Sequence, residues 1–314
     1  MKDLRIVFMG TPDFAVTILK ELVEKGYNIV GVITATDKPS GRGRKVNESA
    51  VKKYAKSNSL NILQPKNLKS TAFVEELKKL KADLQIVVAF RMLPKVVWQM
   101  PKRGTFNLHA SLLPEYRGAA PIHWAIINGE TKTGATTFFI DDKIDTGEII
   151  LQEEINIENN ETVGFLHDKL MYLGANLVTK TVDLISKGTV TTHKQPELEE
   201  KSAPKLNNEN TKIDWNLNID IIYNKIRGLN PFPSAWTTLS TNDSEINTKI
   251  YEVEKEYETH TIASGIIITT KKEIKVAVKN GFINIKTLKL SGKKKMDAIS
   301  LLNGFSFSKD SKML

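Results

Sequence analysis

Asn107 and His109 stand two apart in the short run TFNLH, Thr105–His109. On an extended strand that spacing turns a carboxamide and an imidazole to the same side. Beyond the next apolar run comes the acidic stretch Asp141-Asp142-Lys143-Ile144-Asp145-Thr146-Gly147, from which Asp145 can return to the same sheet edge. A carboxamide donates to an oxygen that gains negative charge. An imidazole held by a carboxylate keeps a chosen tautomer and donates to that oxygen as imidazolium. The acid moves protons, directly or through water, away from an attacking amine. With no Ser or Cys nucleophile and no metal cluster beside them, these three groups suit direct acyl transfer to nitrogen. Taken singly, a strand histidine is a core residue and an acidic run is a turn. The combined spacing Asn-x-His-x-Ser-x-x-Pro, Asn107 to Pro114, favours the functional reading.

The elements that must position these groups alternate strand and helix. Leu4–Met9 is an apolar run closed by Gly10. A helix then starts where Thr11 can cap, Pro12 suits the first turn and Asp13 favours the dipole. Phe14, Ile18, Leu22 and Val23 keep helical spacing up to Gly26. Strands follow at Asn28–Thr34, Leu84–Phe90 and Thr105–His109, with a helix over Ser70–Leu80. This rhythm predicts an α/β, Rossmann-like, doubly wound and mostly parallel sheet. The turn at Gly10 lacks the later glycines of a dinucleotide fingerprint, because Pro12 and Ala15 occupy those places. Gly134–Asp141 and Glu148–Ile157 read as a later strand pair, and Thr162–Lys187 as a long helix.

From Thr191 the chain turns polar, with Pro196 and Pro204. We read residues 1–190 as the first domain, 191–205 as a linker and 206–314 as a second domain. Asn280-Gly281 between alternating apolar runs marks a hairpin, and a small OB-like β-barrel is expected there. The length of 314 residues fits two domains at roughly 100–200 residues each. The absence of cysteine excludes disulfide scaffolds, thiolate metal sites and thiol nucleophiles. Six mostly apolar residues before Gly10 are too few for a secretory signal, so a cytoplasmic protein without a membrane segment is expected. The net charge is +9, and nine lysines against one glutamate fall between Thr270 and Lys295. One sign concentrated on a short stretch suits a polyanion.

The run NLHASLLPEYRGAAP, Asn107–Pro121, with DKIDTG, Asp142–Gly147, resembles the 10-formyltetrahydrofolate-dependent formyltransferases. FMGTPDF (Phe8–Phe14), KPSGRGRK (Lys38–Lys45) and RGLNPFPSAW (Arg227–Trp236) match the same family, and the likeness covers nearly the full length. The resemblance implies a Rossmann-like formyltransferase domain followed by an OB-like domain that helps to hold tRNA. By position it gives Asn107, His109 and Asp145 the catalytic roles. It assigns the folate site to Ser111, Leu112, Leu113 and Pro114, to the backbone around Arg91, Met92 and Leu93, and to the loop from Asp141. It implies a cis Leu113–Pro114 bond. The family commonly has glycine after the aromatic residue where this chain has Phe90-Arg91-Met92.

The implied co-substrate is 10-formyltetrahydrofolate as formyl donor, with no metal. The implied acceptor is the α-amine of methionine on initiator tRNA, with a nucleotide-sugar amine as the alternative. Amine attack on the formyl carbon would leave an oxyanion held by Asn107 and His109, while Asp145 orients the imidazole and relays protons. Lys38, Arg42, Arg44 and Lys45 would approach the acceptor end of the tRNA. Lys293 and Lys294, from the basic stretch, would contact its backbone. A monomer is expected. A purine-precursor acceptor fits poorly with the long basic C-terminal part, and a non-catalytic RNA binder would not need the Asn-His-Asp set.

Overall fold

The computed structural model describes residues 3–40, 45–196, 201–242 and 244–314. The chain divides into two compact units. One takes Met1–Pro121, Thr133–Ile155 and His167–Ser202; the other takes Ile122–Lys132, Asn156–Leu166 and Ala203–Leu314.

The first stretch of chain runs β1 (Ile6–Gly10), α1 (Asp13–Glu24), β2 (Ile29–Ile33), β3 (Lys38–Ser40), β4 (Lys45–Asn47), α2 (Ala50–Ser57) and β5 (Ile62–Leu63). It continues through α3 (Thr71–Lys79), β6 (Leu84–Val88), α4 (Lys95–Trp98) and β7 (Thr105–His109). Then come α5 (Pro121–Ile127), β8 (Lys132–Phe139), β9 (Ile149–Asn156) and α6 (Val163–Lys187). The main sheet has the order β5-β2-β1-β6-β7-β8-β9. Its first five strands pair in parallel, and β8 pairs antiparallel to β7. Every residue of β1 and β6 is buried, so both faces of the sheet are covered, as a Rossmann-like sheet requires. Val7, Met9, Ile33, Leu77, Val87 and Val97 pack into one core cluster. The helix foreseen after Gly10 begins at Asp13, one residue inside the expected start. Pro12 occupies the cap and no side chain caps it, so the capping expected of Thr11 is not made.

The second unit adds α7 (Asn208–Thr211), α8 (Ile219–Leu229), β10 (Ala235–Thr241), β11 (Ser244–Tyr257), β12 (Ile267–Thr269) and β13 (Ile274–Val278). It ends with β14 (Gly281–Leu290), β15 (Met296–Asp297), α9 (Ala298–Leu302) and β16 (Lys312–Met313). The strand order is β12-β13-β14-β11-β10-β16, antiparallel throughout. The two edges meet, with Met313 N–H donating to Gly265 O at 2.8 Å and Ile267 N–H to Ser311 O at 3.1 Å. Closure of this kind makes the sheet barrel-like and removes its edges. Val278 pairs with Gly281, so the tight turn consists of Lys279 and Asn280, with Asn280 at φ 74° and Gly281 already in the strand. Ile219, Ile222, Ile226 and Leu229 on α8 lie in the barrel's apolar core with Ile250, Ile285 and Leu288.

Removing buried methyl groups loses transfer energy and leaves a cavity. Ile222→Ala is expected to destabilise the protein by about 2–5 kcal/mol, read from the denaturant midpoint; an unchanged midpoint would contradict this packing.

Candidate active site

β7 is buried except at Asn107, which is half-buried. The Asn107 carboxamide makes no hydrogen bond among the described residues. His109, at 6 % exposure, ends the strand. Its Nε2 donates to the Tyr116 carbonyl at 2.8 Å. A carbonyl only accepts, so Nε2 carries a proton. The other ring nitrogen, Nδ1, faces Asp145 Oδ2 at 3.7 Å.

Asp145 reaches His109 by an indirect route. Because β8 runs antiparallel to β7, its end pairs with the beginning of β7, and Ile140 N–H donates to Thr105 O at 2.9 Å. The loop after β8 therefore starts at the far end of β7, roughly 13 Å from His109 at about 3.3 Å per residue. It must fold back along the strand to bring Asp145 to the imidazole. Asp145 sits at φ 55°, a left-handed conformation uncommon for a residue with a Cβ. Such a conformation persists where the surroundings over-determine it.

Those surroundings are explicit. Asp145 Oδ2 accepts from Gly118 N–H at 3.0 Å. Its carbonyl accepts from Arg117 Nε at 3.0 Å and Gln195 Nε2 at 2.9 Å. Gln195 also donates to Gly147 O at 2.8 Å and accepts from the Arg117 guanidinium. Asp141 closes the base of the loop, accepting from Thr146 Oγ1 at 2.8 Å and Lys143 N–H at 3.0 Å. At Gly147 a Cβ would overlap the Phe139 carbonyl oxygen, so only glycine lets the loop pass this close.

Arg117 and Gln195 were not among the sequence candidates for the site. Arg117 stood inside the Tyr116-Arg117-Gly118 run, which could have flagged it. Gln195 came from the polar stretch read as a linker, where nothing marked it.

The segment Ser111–Pro114 follows β7 directly. Ser111 Oγ donates to Glu115 O at 2.6 Å, and Thr136 Oγ1 donates to Ser111 O at 2.6 Å. Leu113 N–H reaches Thr136 Oγ1 at 3.2 Å, and Gln152 Nε2 donates to Leu113 O at 2.9 Å. Leu112 lies against Gly134, while Leu113 packs with Phe138 and Ile149. The Leu113–Pro114 bond is cis, as expected. On the neighbouring strand's loop, Arg91 turns away to the carbonyls of Lys66 (3.0 Å) and Pro65. Leu93 is buried in the core cluster with Phe73 and Val97. Met92 is 69 % exposed. Lys95 Nζ lies 3.4 Å from Asp142 Oδ2, which ties this loop to the one carrying Asp145.

Of the basic loop, Lys38 and Lys45 lie on the antiparallel pair β3–β4, while Arg42 and Arg44 fall outside the described residues. The base of that loop is anchored at Asp37, whose carboxyl is held below its usual range by hydrogen bonds from Lys52 and Gln64. In the second unit Lys293 and Lys294 are exposed, and Lys293 Nζ lies 5.2 Å from the Phe305 ring centre. The lysine count there overstates the field. Lys275 pairs with Glu256 at 2.7 Å and Lys286 with Glu254 at 2.7 Å, both glutamates on β11.

A Rossmann-like sheet ending in a carboxamide, an imidazole and a carboxylate is the frame of a group-transfer enzyme. The chain belongs to the formyl transferase family: its formyl transferase model matches residues 4–182, and the C-terminal domain model matches residues 205–306. A methionyl-tRNA formyltransferase of Flavobacterium johnsoniae is 59 % identical over 314 residues, covering 100 % of both chains. That of Bacteroides thetaiotaomicron is 54 % identical over 318 residues, covering 99 % of each. Among solved structures, an N-formyltransferase of Helicobacter canadensis with folinic acid and dTDP-3-aminofucose matches with TM-score 0.68 at 24 % identity, covering 93 % of this chain and 100 % of that one. HypX of Aquifex aeolicus with tetrahydrofolic acid matches with TM-score 0.64 at 17 % identity, covering 95 % and 47 %. At such identities these two show the shared fold.

The brace on Asp145 yields a direct expectation. Gln195→Ala removes two donors from the loop and one acceptor from Arg117; at about 1 kcal/mol net per hydrogen bond, turnover should fall roughly 10- to 100-fold and the melting temperature by several degrees. Steady-state kinetics beside a thermal melt checks this, and unaltered turnover would show that the loop holds without it.

Proposed function

We propose that the chain transfers the formyl group of 10-formyltetrahydrofolate to the α-amine of methionine on initiator tRNA, working as a cytoplasmic monomer. One observation carries the chemistry: the Asn107 carboxamide, without a hydrogen-bond partner among the described residues, stands two residues from an imidazole that faces Asp145. Family membership supplies the reaction class. The names of full-length relatives at 59 % and 54 % identity support methionyl-tRNA as acceptor.

The residues present suit a folate. Ser111–Pro114 is held rigid by Thr136 and Gln152, and two tethered loops offer exposed apolar side chains, Met92 at 69 % and Ile144 at 61 %. Apolar faces of this kind take a flat ring system. When bound, the folate supplies a formyl carbon already activated on nitrogen.

The chain's own groups do the rest. Asn107 Nδ2 donates to the formyl oxygen as amine attack drives charge onto it. His109 joins as a second donor once its Nε2–H leaves the Tyr116 carbonyl. Asp145 fixes the imidazole through the Nδ1 side and relays the amine proton, directly or through water, to N10 of the folate as the bond between N10 and the formyl carbon breaks. Lys293 and Lys294 meet the phosphate backbone of the tRNA, where charge positions the partner without reading bases. The Lys38–Lys45 loop serves the acceptor end.

Incubation with labelled formyl donor and either charged initiator tRNA or an amino-sugar nucleotide tests this reading. Label is expected on the tRNA; label on the sugar nucleotide would replace it with the alternative acceptor. Asn107→Ala is expected to lower kcat about 100–1000-fold, the usual loss for an oxyanion donor. The KM for tRNA should rise steeply between low and physiological salt, each phosphate contact contributing a slope of roughly 0.7–0.9 in log–log form. The double change Lys293→Ala with Lys294→Ala should flatten that slope, and an unchanged slope would remove these two residues from the interface.

A further inference from the structure

The second unit contains a groove of about 520 Å³, walled by the 156–166 segment, the end of α8 and the later half of β11. Its walls hold several polar groups that the fold leaves unused. Asn230 is only 7 % exposed, yet its carboxamide makes no hydrogen bond among the described residues. Arg227 is anchored by Nε to Asn224 Oδ1 at 2.8 Å and by Nη1 to Glu161 O at 2.9 Å, while its Nη2 has no hydrogen bond among those residues. The Tyr251 hydroxyl is likewise without one. The Asn230 amide and the outer edge of the Arg227 guanidinium therefore keep their hydrogen-bonding capacity open to the groove.

The rim carries aromatic rings and cations together. Lys255 Nζ lies 4.8 Å from the Tyr223 ring centre and 5.4 Å from that of Tyr257, and it donates to Asp220 at 2.7 Å. Tyr257 is 61 % exposed. Lys295 Nζ lies 4.5 Å from the Tyr251 ring centre, which brings the basic 293–295 stretch onto the groove wall. The two lining carboxylates are engaged elsewhere: Glu252 accepts from Thr287 at 2.8 Å, and Glu254 pairs with Lys286.

A carboxamide offers a donor and an acceptor side by side, the complement of a nucleobase edge. Exposed aromatic faces stack bases, and Arg and Lys hold phosphate. The volume falls in the range of roughly 300–1,000 Å³ usual for a small-ligand site. We infer that this groove receives one unpaired nucleotide of the tRNA, its base against Asn230 and Tyr257 and its phosphate against Arg227 or Lys255. The inference rests on the tRNA acceptor proposed above. It adds a place where the second unit grips a single nucleotide, apart from any general attraction to the backbone.

The full-length protein tests it in three arms: formylation kinetics on charged initiator tRNA, ultraviolet cross-linking of bound tRNA with peptide mapping, and titration with AMP, CMP, GMP and UMP singly. Asn230→Asp and Tyr257→Ala should each raise the KM for tRNA at least tenfold and leave the KM for the folate unmoved. Tyr257 is exposed, so Tyr257→Ala carries the test if Asn230→Asp fails to fold. In the unaltered protein a nucleotide should cross-link to the peptide containing Tyr257. A KM for tRNA within twofold of normal in folded Tyr257→Ala, with no such cross-link, would overturn the inference while leaving the formyl transfer reading intact. Saturable binding of a free monophosphate that Tyr257→Ala abolishes, with the tRNA KM unmoved, would overturn it in favour of a free nucleotide. An unaltered protein that formylates no tRNA would overturn the acceptor assignment itself and this inference with it.

Discussion

The candidate site depends on holding one carboxylate where the local backbone does not favour it. Asp145 stands at φ 55° on a loop that must travel back along β7 to face His109. Three kinds of contact keep it there. The Gly118 amide binds its side chain, Arg117 and Gln195 bind its carbonyl, and the glycine at 147 lets the loop press against Phe139. A residue in this conformation costs on the order of 1–3 kcal/mol, so it survives only where several partners agree on its place. The consequence is a carboxylate with little freedom, aimed at one ring nitrogen while the Tyr116 carbonyl fixes the other.

On the same strand Asn107 is held by the sheet alone. Its backbone is locked between β6 and β8, while its side chain makes no hydrogen bond among the described residues. That contrast divides the labour. The imidazole and carboxylate form a pair whose geometry is set in advance, and the carboxamide stays available to an oxygen arriving from outside. As a donor already in place, the carboxamide needs no reorganisation when charge develops, whereas the His109 N–H must first leave the Tyr116 carbonyl. Because β1, β6 and β7 run parallel, the loops that follow them leave that same edge of the sheet.

Much of this was legible in the sequence because period and punctuation carry it. The run TFNLH is β7 residue for residue, and the expected strands before it and long helix after it end within a few residues of the observed ones. The cis bond before Pro114 and the barrel-like second unit were also expected, through the family resemblance and the hairpin signal. What stayed hidden depends on contacts between distant residues. Strand direction is not written in an apolar run, so the antiparallel β8 and the long return of Asp145 could not be read. Gln195 lies in a polar stretch with no periodicity, and only the folded chain sets it under the loop. Lys275 of β13 and Lys286 of β14 are opposed by glutamates on β11, which lies before the 270–295 stretch in the chain. The folate expectation at Arg91 and Leu93 rests on their backbone, since the Leu93 side chain lies in the core and the Arg91 side chain reaches the carbonyls of Lys66 and Pro65.

The central claim is that Asn107 and Asp145 act on the same reacting carbon, one on its oxygen and one through His109. A double-mutant cycle on the single-turnover rate of labelled formyl transfer, with both substrates saturating, addresses it most directly. Groups that act as a unit are strongly non-additive. The rate of Asn107→Ala combined with Asp145→Asn is therefore predicted to fall little below that of the slower single variant. A double variant slowed by the full product of the two separate losses would mean that the two side chains work independently.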